Sequence, residues 1–188
     1  SGFVGPYLVK HLVMSGFEVF GIDRSGKKVA GCAVDKCDVT DYDSVFSVVK
    51  RVKPDFVFHL AGQSSVERSW KEPEFTRAVH VVGTKNLLDA VLSARLKPKV
   101  LVVSSAEVYG IPKKLPISED HPVKPITPYG ESRVEQEKLA LDYFRNKGVQ
   151  LVISRSFNQT GPGQPSTFVC SDFARQVAEA EKGRRTEI

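Results

Sequence analysis

The 188-residue sequence lacks most of the features that mark specialised protein classes. A membrane-spanning helix needs ~20 consecutive apolar residues, and runs such as Val100–Val103 break off far short of that. Cysteine is scarce: the 3 present (Cys32, Cys37, Cys170) are an odd number and too few for a disulfide scaffold. Cys32 and Cys37 do not have the spacing of a standard zinc site, and all three read as reduced structural thiols of a cytoplasmic protein. Neither sign of charge dominates, since 27 Lys+Arg against 22 Asp+Glu leave +5. The basic pairs Lys27-Lys28 and Arg184-Arg185 lack interleaved aromatics, so they read as solvated surface rather than a nucleic-acid patch. Repeats and low-complexity tracts are missing too. These absences argue against membrane and nucleic-acid partners and leave room for a phosphorylated small molecule. There is also no initiating methionine. The chain opens on Ser1-Gly2-Phe3-Val4-Gly5, which already reads as the middle of a motif, so a leader peptide would not be visible.

What is present is alternation. Strand-like runs recur at Glu18–Ile22, Phe56–Leu60, Val100–Ser104 and Val149–Ser154. Helical patterns lie between and around them: Pro6–Ser15, Asp41–Val52, Pro73–Leu96, Pro128–Lys147 and Asp172–Lys182. Asp41 is suited to capping, Val82, Leu88, Val91 and Leu92 fall near helical spacing, and Thr127-Pro128 reads as an N-cap with a first-turn proline. Strands alternating with helices of this length predict βαβ units and a parallel sheet. Ile111–Pro128 holds five prolines and reads as a surface loop.

Three constellations carry chemistry. Gly2 and Gly5 before a helix resemble the last two glycines of a turn that lets backbone N–H groups approach a pyrophosphate. About 20 residues on, a strand ends in Asp23, where a carboxylate can bind the adenosine ribose. Arg24 beside it could accept a 2′-phosphate, so the pair leaves both NAD and NADP open. Tyr129 and Arg133 are four apart and share a helix face. A fixed cation favours phenolate, which suits a tyrosine that exchanges a proton with a carbonyl or alcohol oxygen. Ser105, at the carboxyl end of a strand, could hold that oxygen, and Glu107 is a second acid–base candidate.

Taken together, S-G-F-V-G (1–5), G-I-D-R (21–24), C-D-V-T-D (37–41), H-L-A-G (59–62), S-S-A-E-V-Y-G (104–110), P-Y-G-E-S-R (128–133) and S-F-N-Q-T-G-P-G-Q (156–164) resemble the extended short-chain dehydrogenase/reductase family. Q-S-S-V-E-R-S-W (63–70) and F-V-C-S-D-F-A-R-Q (168–176) are most similar to its nucleotide-sugar branch, GDP-4-keto-6-deoxy-D-mannose reductases first, 4,6-dehydratases and 4-epimerases next. The resemblance implies an α/β fold, a Rossmann-type doubly wound parallel sheet, here a fragment without its first strand and with little of the C-terminal substrate domain. Residues 1–165 would be the NAD(P)-binding domain and 166–188 the start of the substrate region. A polypeptide of these residues alone is expected to be poorly stable or inactive.

By motif, the resemblance implies that Gly2, Phe3, Val4 and Gly5 form the pyrophosphate turn, and that Asp23 and Arg24 meet the adenosine ribose. Asp38 and Val39 match the adenine pocket; Leu60 and Ala61 match the segment beneath the cofactor, with Ser104 near it. Ser105, Tyr129 and Arg133 match the catalytic positions, the last two also facing the cofactor. Ser64, Glu107 and Asn158 match positions facing a nucleotide-sugar substrate, Glu107 being the acid–base residue of the dehydratases. A cytoplasmic homodimer built on Pro73–Leu96 and Pro128–Lys147 is implied as well. Two departures stand out: Arg133 replaces the lysine of Tyr-x-x-x-Lys, and His80, read as a packed helix histidine, replaces an asparagine. Arginine keeps the charge but has a larger planar head and does not deprotonate. A non-catalytic nucleotide-binding member of the family is therefore a reading from a different class.

Overall fold

A computed structural model describes residues 2–184. Ser1 of the glycine turn, Arg185 of the second basic pair and the last four residues of the 166–188 segment lie outside the described residues.

Helix α1 spans Val4–Met14, starting earlier than Pro6 because a proline in the first turn gives up an N–H that has no helical partner anyway. It leads to β1 (Phe20–Asp23) and β2 (Ala33–Lys36). Helix α2 (Tyr42–Val52) is capped by Asp41, which accepts from Asp43 N and Ser44 N, and it ends at Lys53 in the left-handed region before Pro54. Then follow β3 (Phe56–His59), a short α3 (Val66–Lys71) and α4 (Pro73–Arg77). A π-helical segment, Ala78–Val82, runs into α5 (Gly83–Ser93). Strand β4 (Lys99–Ser105) ends in a 3₁₀ turn, Ala106–Tyr109. The proline-bearing loop follows, then α6 (Pro128–Lys147), β5 (Leu151–Ser156) and α7 (Val169–Glu181).

All strand pairs are parallel. β1 pairs with β2, and β4 sits between β3 and β5. The two sheets share no ladder, and β1 and β3 are each an edge strand of their own sheet. Phe17, ahead of β1, meets Phe56 of β3 edge to face at 6.2 Å.

Side chains alternate across a strand, and this decides where the core sits. Val100, Val102 and Ser104 of β4 are buried on the face covered by α5 and α6, with Leu88, Ala140, Tyr143 and Val149. Val45 and Val49 of α2 pack with Leu87, Ala90 and Val91 of α5 against Ile22 and Val57. One helical layer, α2–α5–α6, thus covers one face of both sheets. The other face is thinly covered: Phe20, Phe56, Phe58 and Val152 are exposed, and α1 buries no residue. Tyr7 of α1 donates to the Pro162 carbonyl. No helix is long and apolar enough to cross a membrane.

Two expectations are corrected. The single helix over Pro73–Leu96 is broken by the π segment and stops at Ser93, with Arg95 in the left-handed region. β2 and α3 were unexpected: Ala-Val-Asp-Lys has no apolar run, and a six-residue helix is too short to show periodicity.

Candidate functional site

The site lies beyond the carboxyl ends of β3 and β4, under the first turns of α6. Thr127 caps α6 through Gly130 N, and Pro128 occupies its first turn. The backbone N–H of Tyr129 donates to Ser69 Oγ of α3 at 3.1 Å, which ties the start of α6 to a second helix. Tyr129 and Arg133 are both buried, 8% and 6% exposed. Arg133 Nη2 donates to the Tyr129 hydroxyl at 3.2 Å, and Nη1 donates to Val103 O and Gln136 Oε1. The four-residue spacing therefore produces a real contact.

Two buried histidines flank the arginine. His80, from the π segment, lies edge-on to Tyr129 with centroids 5.3 Å apart. Its Nε2 must donate to the Gln63 carbonyl, and Nδ1 lies 2.8 Å from Ser132 Oγ, whose single hydrogen also has the Tyr129 carbonyl within reach at 2.7 Å. Burial, then the Arg133 charge, pushes its pKa down to about 3. His59, at the end of β3, contacts Thr84 Oγ1, and the same two causes lower its pKa to about 4. Both rings are neutral at pH 7, leaving Arg133 as the cation of this cluster. Gly62 makes the close approach possible: a Cβ there would lie 2.8 Å from Arg133 Nη2 and 3.3 Å from His80 Nε2.

The other expected residues divide into groups. Ser105 is half-buried, and its hydroxyl accepts from Glu107 N rather than meeting Tyr129. Glu107 is half-buried on the same turn, with no hydrogen bond to its carboxylate among the described residues. Ser104, expected near the cofactor, gives its hydroxyl to a protein partner. It points to the covered face and donates to Glu137 Oε1, because period-two alternation separates it from Ser105. Leu60 and Ala61 follow β3 half-buried, and Ser64 and Asn158 are exposed. Asp38 accepts from Thr40 N and Oγ1, and buried Val39 receives Asn86 through its carbonyl, so both fix the turn between β2 and α2. Asp23 Oδ1 accepts from Ser25 N, Ser25 Oγ and Lys27 N and closes its own turn. Arg24 lies over the Phe75 ring at 5.6 Å, where Arg68 also stacks at 4.5 Å.

Sequence reasoning missed His59, Thr84, Gln136, Ser69 and the ion pair Arg155–Glu137. In that pair Glu137 is buried, and Arg155 also reaches Tyr109 OH and Glu119 O, strapping the loop after β4 to the sheet. Only Gln136, three residues from Arg133, left a local signal.

The residues fit a dinucleotide. Gly2 and Gly5 have open space where a Cβ would stand, and the first turn of α1 carries no acid, as an anion at a helix N-terminus requires. Phe3 and Val4 complete that turn. At the other end, Arg133 Nε is buried without a protein partner, and an added ligand acceptor would satisfy it.

Comparison with known proteins agrees with this geometry. The GDP-mannose 4,6-dehydratase family model matches residues 1–188. GDP-6-deoxy-D-mannose reductase of Pseudomonas aeruginosa is 37% identical over 69% of this chain and 43% of its own length. The structure of RMD from Pseudomonas aeruginosa with NADPH superposes with a TM-score of 0.82 at 31% identity, covering 98% of this chain and 59% of that one. UDP-glucose 4-epimerase from Brucella ovis with NAD gives 0.81 at 30% identity, over 85% of this chain and 50% of that one. The chain spans about half the length of the curated relatives it matches. With its glycine-led helix, parallel sheet and buried Tyr129–Arg133 pair, the chain belongs to the GDP-mannose 4,6-dehydratase family of nucleotide-sugar-modifying short-chain dehydrogenase/reductase folds.

Proposed function

We propose that the protein is an NAD(P)-dependent reductase of a 4-keto-6-deoxy nucleotide sugar. The observation that carries this is the buried hydrogen bond from Arg133 to the Tyr129 hydroxyl at the strand ends. A bound nicotinamide supplies hydride exchange with the sugar C4. The Tyr129 hydroxyl gives its proton to the keto oxygen, the Arg133 charge stabilises the phenolate left behind, and Ser105 orients the carbonyl. Gly2, Phe3, Val4 and Gly5 would take the pyrophosphate, while Leu60, Ala61, Asp38 and Val39 would border the cofactor. Ser64 and Asn158 would face the sugar nucleotide. Arg24 favours NADP(H) over NAD, because its guanidinium is held on Phe75 while Asp23 is drawn into its own turn. A cytoplasmic homodimer belongs to the same reading, and sedimentation tests the dimer.

The test is reduction of GDP-4-keto-6-deoxymannose by the full protein with NADPH. Tyr129→Phe is expected to lower kcat by about 10²-fold or more with cofactor affinity retained; unchanged turnover overturns the assignment. The carboxylate of Glu107, free of hydrogen bonds among the described residues, favours a 4,6-dehydratase or 4-epimerase as the second reading. Those reactions return their cofactor to its starting state, so product formed without added NAD(P)H selects them. Nucleotide binding with no turnover selects the non-catalytic reading.

A further inference from the structure

Gln136 is fully buried on α6 and belongs to no expected motif. Its orientation follows from counting protons. Thr84 Oγ1 has one hydrogen, which it donates to the His80 carbonyl at 2.6 Å. Its lone pairs then accept from Gln136 Nε2 at 2.8 Å and His59 Nε2 at 2.9 Å. With the amide nitrogen anchored there, Oε1 is turned towards Arg133 Nη1 at 2.9 Å. The second Nη1 hydrogen goes to Val103 O at 3.0 Å.

Holding both Nη1 hydrogens fixes the plane of the guanidinium, because its donors form a rigid fork. That plane aims Nη2 at the Tyr129 hydroxyl and leaves Nε facing no protein acceptor. Every bond in the chain has one permitted sense, so the arrangement cannot invert without leaving a buried donor or acceptor unpaired.

We propose that Gln136 is a positioning residue that, braced by Thr84, locks the Arg133 guanidinium against the Tyr129 hydroxyl and so lets an arginine serve in place of the lysine. This rests on the reductase reading for its kinetic readout alone.

The test is a double-mutant cycle in the full-length protein with Gln136→Met, which keeps the volume and removes both hydrogen bonds, and Arg133→Lys. Gln136→Met is expected to lower kcat about tenfold with arginine at 133 and less than about twofold with lysine there, KM staying within about twofold. A core-filling role would instead give equal factors in both backgrounds, which overturns the proposal. The near-UV circular dichroism of Tyr129, isolated by subtracting Tyr129→Phe, is expected to change in Gln136→Met, and an unchanged band also overturns it. If the parent protein reduces no nucleotide sugar, the functional reading fails while the tyrosine band still decides the lock.

Discussion

At the scale of single residues, the site depends on who is allowed close to Arg133. Gly62 is the clearest case. An alanine Cβ would meet Nη2 at 2.8 Å, a separation that real Cβ contacts do not reach. The atom that must give way is the tip of a side chain, so the fold should tolerate the change while the guanidinium loses its aim. Gly62→Ala is expected to lower kcat about tenfold and Tm by only a few degrees; a full-activity variant would show that the arginine has room to spare. The Tyr129–Arg133 contact was legible in the sequence because four residues on a helix are neighbours in space. His59 and Thr84 were not, and Gln136 was legible only in its spacing from Arg133. Their hydrogen bonds join β3, α5 and α6 across 25 and 52 residues of chain, and no local pattern encodes such a meeting.

Legibility of whole elements follows the strength of their end signals. Helix α6 runs over Pro128–Lys147 as expected, because Thr127, Pro128 and the left-handed Gly148 mark both ends. The stretch after Pro73 misled for a physical reason. A π turn inserts one residue and rotates the following face, so counting at 3.6 per turn puts Val82 inside. In the structure Val82 is 37% exposed and His80 is fully buried. Gly83 adds to this, since a Cβ there would lie 2.7 Å from Val39 Cγ2 and only a bare backbone passes. The N-terminus of α6 also makes a testable link between element and site. Thr127→Ala removes the bond to Gly130 N, one residue after Tyr129. Its expected cost is about 1 kcal/mol in urea unfolding, with reduced turnover as the first turn loosens; unchanged stability would mean that Ser69 alone holds that turn.

For the molecule as a whole, alternation of strands and helices was enough to foresee the parallel sheet, but not its division into two ladders or the uneven cover of its faces. Apolar patterning also hid the most unusual property of the interior, which is that its centre beneath α6 is polar and holds two neutral histidines. Stability should therefore depend on pH in a defined window. Both folded-state pKa values, about 4 for His59 and about 3 for His80, lie below the unfolded value of 6.5. Between those limits the unfolded chain binds more protons than the folded one, so unfolding becomes easier as pH falls. The stabilisation is complete above pH 6.5 and drains away below it. At pH ~5 each histidine has given up about 2 kcal/mol, from ~1.4 kcal/mol per pH unit below the unfolded pKa. Unfolding free energy is thus expected to drop by about 4 kcal/mol from pH ~7.5 to ~5, before ordinary carboxylates (pKa ~4) begin to protonate. Urea titrations at both pH values measure it. His80→Asn should halve the drop, since asparagine gains no proton on unfolding. A stability that stays level across this window would mean that both imidazoles are already protonated in the folded protein.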